Sequence, residues 1–143
     1  MKKAVLTLVF ITILVVSFAA WVVHSHLYVE NQTNKVKITA IEKLGGWYPI
    51  GGLLMGSEFN VTIQNSGVNS VSNLTLTSKS VYNSTGEAIY MQDSVQIDTL
   101  QVGESREIKV WAYWNLGDSS DAVTFITTLK LGDAVLDERK EPF

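Results

Sequence analysis

The chain is predicted to be all-β: an antiparallel two-sheet sandwich of seven to eight strands behind one N-terminal transmembrane or signal helix. Three observations lead there. Residues Ala4 to Val23 hold no charge and no proline; from Lys35 onward apolar and polar residues alternate; and Gly, Asn, Asp and Ser break that alternation about every ten residues. A length of 143 residues leaves room for one ordinary domain and an appendage. The expected division is a helical anchor over 1–26, a polar tether over 27–34 and a β domain over 35–143.

The helix comes first. About twenty apolar residues at a rise of about 1.5 Å span a hydrocarbon core of about 30 Å, so residues 4–23 are expected to associate with a membrane. Thr7, Thr12 and Ser17 can return their hydroxyl hydrogen bonds to the preceding turn. Lys2 and Lys3 precede the run and His24 follows it, a bias that keeps the N-terminus cytoplasmic and exports the rest. Trp21 and Tyr28 suit the outer interface. A cleaved secretory signal is the alternative, with Ser17-Phe18-Ala19 as its small-residue site, and secretion then follows cleavage near Ala19. Both readings place the β domain outside the cytoplasm.

Strands follow. Val36, Ile38 and Ala40 begin the series, and in Glu58 to Gln64 the inward residues are Phe59, Val61 and Ile63, with Asn60, Thr62 and Gln64 facing water. Asn65-Ser66-Gly67 reads as a turn with Gly67 able to take positive φ, and Leu74 and Leu76 alternate beyond it. Asn83-Ser84-Thr85-Gly86 is a further turn before Ala88 to Met91, and Val95 with Ile97 starts another strand that closes at Gln101-Val102-Gly103-Glu104. Ile108, Val110, Ala112 and Trp114 form one face of a long strand. Ala122 to Leu131 and Ala134 to Arg139 form a hairpin about Gly132-Asp133, and Pro49 and Pro142 fall outside every strand. Seven or eight strands suit an immunoglobulin-like Greek-key sandwich.

A family resemblance rests on three runs: FNVTIQNSGVNSVSNLTL, DTLQVGESREIKVWAYW and TTLKLGDAVLDERK. They resemble the CARDB-type domains, immunoglobulin-like adhesion modules of prokaryotic surface proteins. The likeness lies in a strand ending in Asn-x-Gly (Asn65 to Gly67) and a later loop reading Leu-x-x-Gly-Glu-Ser (Leu100 to Ser105), and covers roughly residues 57–140. It implies a structural or adhesive module with no catalytic residue to carry over. The segment from Leu44 to Gly56 and the pair Trp111 and Tyr113 are not part of it.

Composition narrows the function. The formal charge of −3 becomes −5 once Lys2 and Lys3 are set aside, and the remaining cations are spread among acids, so no nucleic-acid surface is expected. Cysteine is absent, which removes disulfides, thiolate metal sites and a cysteine nucleophile. His24 and His26 are the only histidines and on a helix would point about 200° apart. Asp118 with Asp121, or Asp133, Asp137 and Glu138, match no calcium loop and read as solvated turn carboxylates. With no Gly-x-Ser-x-Gly elbow or phosphate loop, no enzyme activity, cofactor or metal is expected.

Two kinds of candidate site remain. Asn31, Asn60, Asn73 and Asn83 each open an Asn-x-Thr sequon and are possible N-glycan acceptors. The glycine-rich segment LGGWYPIGGLLMG carries Trp47, Tyr48, Ile50, Leu53, Leu54 and Met55, which either form an exposed contact patch or fold over one end of the sandwich. Alternation places Trp111 and Tyr113 opposite the inward Val110 and Ala112, as a half-exposed ledge for a glycan or a neighbour, or as a floor beneath that segment. The expected function is a non-enzymatic, membrane-anchored surface module for adhesion, envelope assembly or protein interaction, its partner a protein or surface polymer. One alternative is a pilin-like filament subunit, because Lys3-Ala4 before an apolar helix resembles the archaeal pilin processing site and would leave Val5 first. An exported carbohydrate-acting enzyme is the other, and requires two converging carboxylates.

Overall fold

The structure, a computed structural model, describes residues 2–33, 35–115, 117 and 122–142, and the side chains of all these except 2–10, 28–33, 90 and 91. The chain divides into two compact units, Met1–Gln32 and Thr33–Phe143. The first is one helix, α1 (Lys2–Thr33). It extends through the ENQT residues expected to form a tether, so helix replaces tether from 27 to 33; backbone hydrogen bonds already formed in the preceding turns propagate it. His24 and His26 lie on this helix, and the Ser25 hydroxyl donates to the Val22 carbonyl at 2.9 Å, returning its hydrogen bond one turn back. Among the described residues no helix is long and apolar enough to cross a membrane. The run 4–23 lies partly outside the described side chains.

The second unit is all-β, with strands β1 (Val36–Lys43), β2 (Tyr48–Gly51), β3 (Leu54–Asn65), β4 (Val71–Tyr82), β5 (Ala88–Leu100), β6 (Ser105–Asn115), β7 (Val123–Leu131) and β8 (Ala134–Pro142). They form two antiparallel sheets. In the first, β3 is central, with β6 along one side and β1 and β2 sharing the other; the second has the order β5-β4-β7-β8. Both sheets contribute to one core, in which Phe59 of β3 stacks on Phe125 of β7 with ring centroids 4.5 Å apart.

Most inward residues are those the alternation selects: Val36, Ile38, Phe59, Val61, Ile63, Leu74, Leu76, Ile108, Val110 and Ala112 are all buried. Ala40, expected to follow Val36 and Ile38 inward, is exposed because the β1–β3 register shifts between Ile38 and Ala40, and Trp114 is half-buried. The β7–β8 hairpin turns at Gly132, whose φ of 58° only glycine adopts without strain. Asn65 to Gly67 closes differently from expectation: the Asn65 Oδ1 accepts the Gly67 N–H at 2.9 Å, and the left-handed glycine of this region is Gly103 (φ 74°) in the facing loop.

Three assignments are corrected. Pro49 lies within β2 and Pro142 ends β8; both strands are sheet edges, where a residue without an N–H breaks no ladder. Ala88 to Met91 and Val95 to Ile97 belong to one continuous strand, β5, because Gln92, Asp93 and Ser94 pair with Lys79, Ser78 and Thr77 of β4 rather than turning. The segment from Leu44 to Gly56 is a hairpin, β2 folding back on the first residues of β3.

Register fixes the ends. Val36 pairs with Asn65, and Tyr48 pairs with Gly56, so the chain enters the β domain at the near end while the β2–β3 hairpin stands at the far end.

Candidate interaction surface

The hairpin splits its side chains between two faces. Trp47 packs against the core and lies 5.9 Å from Trp114, with the Lys43 ammonium 4.9 Å from its ring centre. Leu54 and Met55 are half-buried, whereas Tyr48, Ile50 and Leu53 are exposed, Leu53 by 60%. Trp47 thus packs inward as expected of a segment folded over the sandwich, while Tyr48, Ile50 and Leu53 face solvent.

On the outer face of the first sheet, β2, β3 and β6 place Tyr48, Gly56 and Tyr113 in one cross-strand row and Glu58 opposite Trp111 in the next. Gly56 is buried without a side chain of its own. A Cβ there would meet Ile50 at 2.9 Å and Trp111 at 3.1 Å, so these two side chains lie over the bare backbone of β3. Ile50 of the hairpin and Trp111 thus lie side by side over Gly56, and Trp111 and Tyr113 are both half-buried.

Polar groups continue the same face. Lys109 approaches Glu58 at 3.5 Å, and the Asn60 amide donates to Glu107 at 2.8 Å. The Tyr113 hydroxyl is held above its ordinary value of 10.0, first by desolvation and then by the negative charge of Asp93.

The outer edges of the first sheet are closed by side chains of the second. Beside β6, Asp93 Oδ2 accepts the Trp111 N–H at 3.0 Å, Ser80 Oγ accepts the Tyr113 N–H at 3.1 Å, and the Ser78 hydroxyl donates to the Trp111 carbonyl at 3.1 Å. Beside β1, Asp137 Oδ2 accepts the Ile38 N–H at 2.9 Å. These groups occupy backbone positions that a further strand would use. Sequence reading missed them; the signal was Ser78 and Ser80 at inward parity directly after Leu74 and Leu76, where a hydroxyl needs a buried partner.

Of the sequon residues, Asn73 and Asn83 are exposed, and Asn73 has a left-handed φ of 60°. The Asn83 Oδ1 accepts the Thr124 hydroxyl at 2.6 Å, and Asn60 is half-buried. Asn31 lies on α1 with its side chain outside those described, and Asp118 and Asp121 lie outside the described residues. Among the described residues no three His, Cys, Asp or Glu side chains gather where they could hold a metal ion.

No family model and no curated relative matches the chain. Among solved structures it is similar to a β-glucuronidase from glycoside hydrolase family 2, with a TM-score of 0.62 and 14% identity over 76% of this chain and 12% of that one. It is also similar to a putative β-galactosidase from Bacteroides fragilis, with a TM-score of 0.59 and 14% identity over 76% and 17% of the two chains. A Bacteroides uniformis β-glucuronidase follows, with a TM-score of 0.60 and 11% identity over 76% and 14%. In each case this chain spans less than a fifth of its neighbour's length, and at such identity the likeness is one of fold.

Proposed function

We propose that the chain is a non-enzymatic cell-surface protein, held in a membrane by α1 and displaying an immunoglobulin-like sandwich for adhesion or envelope assembly. The observation that carries this reading is the pairing of an uncharged run behind Lys2 and Lys3 with a cysteine-free β domain whose far end bears exposed apolar side chains. The immunoglobulin-like assignment is supported by strand order: with β2 set aside, the sheets are β1-β3-β6 and β5-β4-β7-β8, a three-plus-four division with chain crossings between the sheets. The CARDB-type reading is supported by contact between its two motif pieces. Asn65 donates its amide to the Leu100 carbonyl at 3.2 Å and accepts the Gly103 N–H on its own carbonyl at 2.8 Å.

The test is fractionation of the cells that make the protein, with protease applied to intact cells and the mature N-terminus read by mass spectrometry. A membrane-bound chain retaining its first residues, with a β domain that external protease removes, is expected. Recovery of the intact chain in the cytosol overturns the reading. A second reading, a filament subunit processed after Ala4, is favoured by the continuation of α1 ten residues beyond Val23, as a filament shaft requires. A mature start at Val5, with filaments in sheared surface material, selects it.

A further inference from the structure

We propose that the outer face of the first sheet, at its far end, binds an uncharged polysaccharide, with a sugar ring lying on the shelf formed by Trp111, Ile50 and Tyr113. The inference rests on the adhesion reading above and names the ligand class and the site.

The shelf is low because of Gly56. With no side chain at that position, Ile50 and Trp111 settle onto the backbone of β3, close enough that a Cβ would be driven to 2.9 Å from one and 3.1 Å from the other. The result is an apolar surface that follows the sheet, with Tyr48 and Tyr113 on the strands to either side of Gly56, two strand spacings or about 9.6 Å apart. Ile50 is 46% exposed and Tyr48 is 51% exposed, with Trp111 and Tyr113 half-buried beside them.

The charges beside it select the ligand. Glu58 is matched by Lys109, whereas Glu107, held by the neutral Asn60 amide, and Asp93, whose negative charge reaches Tyr113, leave this face negative. A polyanion is repelled there, while carboxylate oxygens accept hydrogen bonds from the hydroxyls of a neutral sugar. A neutral sugar presents one apolar face of C–H bonds, which fits an indole and a sec-butyl edge, and a rim of hydroxyls, which fits the amide, carboxylate and ammonium beside them.

Position favours a long ligand lying outside the cell. The shelf occupies the first residues of β3, whereas Val36, where the domain begins, pairs with the last. Asn65 lies nine residues along β3 from Gly56, which at about 3.3 Å per residue separates the two by roughly 30 Å.

The test uses the full chain in lipid nanodiscs, with soluble β-glucan and mannan as neutral probes and alginate as the charged control. Saturable binding to a neutral probe, unaffected by added salt, is expected. Trp111→Ala is expected to weaken it by about tenfold or more, and Trp111→Phe to restore part of the loss. Ile50→Ser, at an exposed position, gives the same direction of change should Trp111→Ala not retain the β-sheet spectrum. Failure to bind either neutral probe, equal binding by the folded Trp111→Ala chain, or binding only to alginate with loss in salt overturns the proposal. Surface display is read separately by the protease experiment, so a displayed chain that binds neither neutral probe refutes the ligand class alone.

Discussion

Asn65 shows how much of this fold one side chain ties together. It is fully buried, and its amide donates to the carbonyls of Asn69 at 2.9 Å and Leu100 at 3.2 Å while its Oδ1 accepts from Gly67. Its backbone N–H reaches the Glu104 carbonyl at 3.0 Å, and the following Ser66 N–H reaches Lys35 at 2.8 Å. Three separate stretches of chain, at Lys35, at Asn65 to Asn69 and at Leu100 to Glu104, are therefore joined through Asn65 and Ser66. Asn65→Ala leaves the buried groups at Leu100 and Gly67, and the Asn69 carbonyl, without their partner, and is expected to cost about 3 kcal/mol, read as a lower urea midpoint at unchanged slope. From sequence, Asn65-Ser66-Gly67 was legible as a turn because these residue types favour one. That Asn65 bonds to residue 100 was not, since spacing says nothing about which loop faces it.

At the level of the strand, period-two burial carried most of the information. Phe59, Val61 and Ile63 of β3, or Ile108, Val110 and Ala112 of β6, lie inward because a single slip would turn the whole apolar set to water. Where polar residues serve the tertiary structure, the pattern misleads. Asp93 resembles a turn residue, yet it sits within β5 to cap the Trp111 N–H, and Pro49 resembles a stop, yet it fits an edge strand. For the candidate surface, alternation put Trp111 and Tyr113 opposite the inward Val110 and Ala112, but the placing of Ile50 beside Trp111 over Gly56 depends on a hairpin register that no local signal sets. Replacing the β6 cap tests its role: Asp93→Leu is expected to speed amide hydrogen exchange at Trp111 by at least about tenfold, while Val110, paired with β3, keeps its protection. Tyr113 is also expected to titrate nearer its ordinary value in that variant while remaining raised, because desolvation is the larger of its two causes.

Across the whole molecule, one core joins both sheets without any covalent link, so stability depends on packing and on charge-assisted hydrogen bonds. Glu104 is one such anchor: its carboxyl is held below its ordinary 4.5, chiefly by the Gln101 N–H and then by the Arg106 guanidinium. A folded-state value below the unfolded one means the contribution is complete above the ordinary carboxylate range and is lost as pH falls through the depressed value. Thermal unfolding is therefore expected to shift down on acidification below that range, and Glu104→Gln is expected to flatten part of the shift.

The direction of β1 and β8 has a mechanical consequence. β1 runs from Val36 toward the far end, and β8 runs the same way, from Ala134 to Pro142, with Asp137 clasped to Ile38 between them. Tension between Val36 and Pro142 draws these two terminal strands in opposite senses along their length. Their ladders to β3 and β7 are then loaded in shear, many bonds at a time, instead of being peeled open singly from one end.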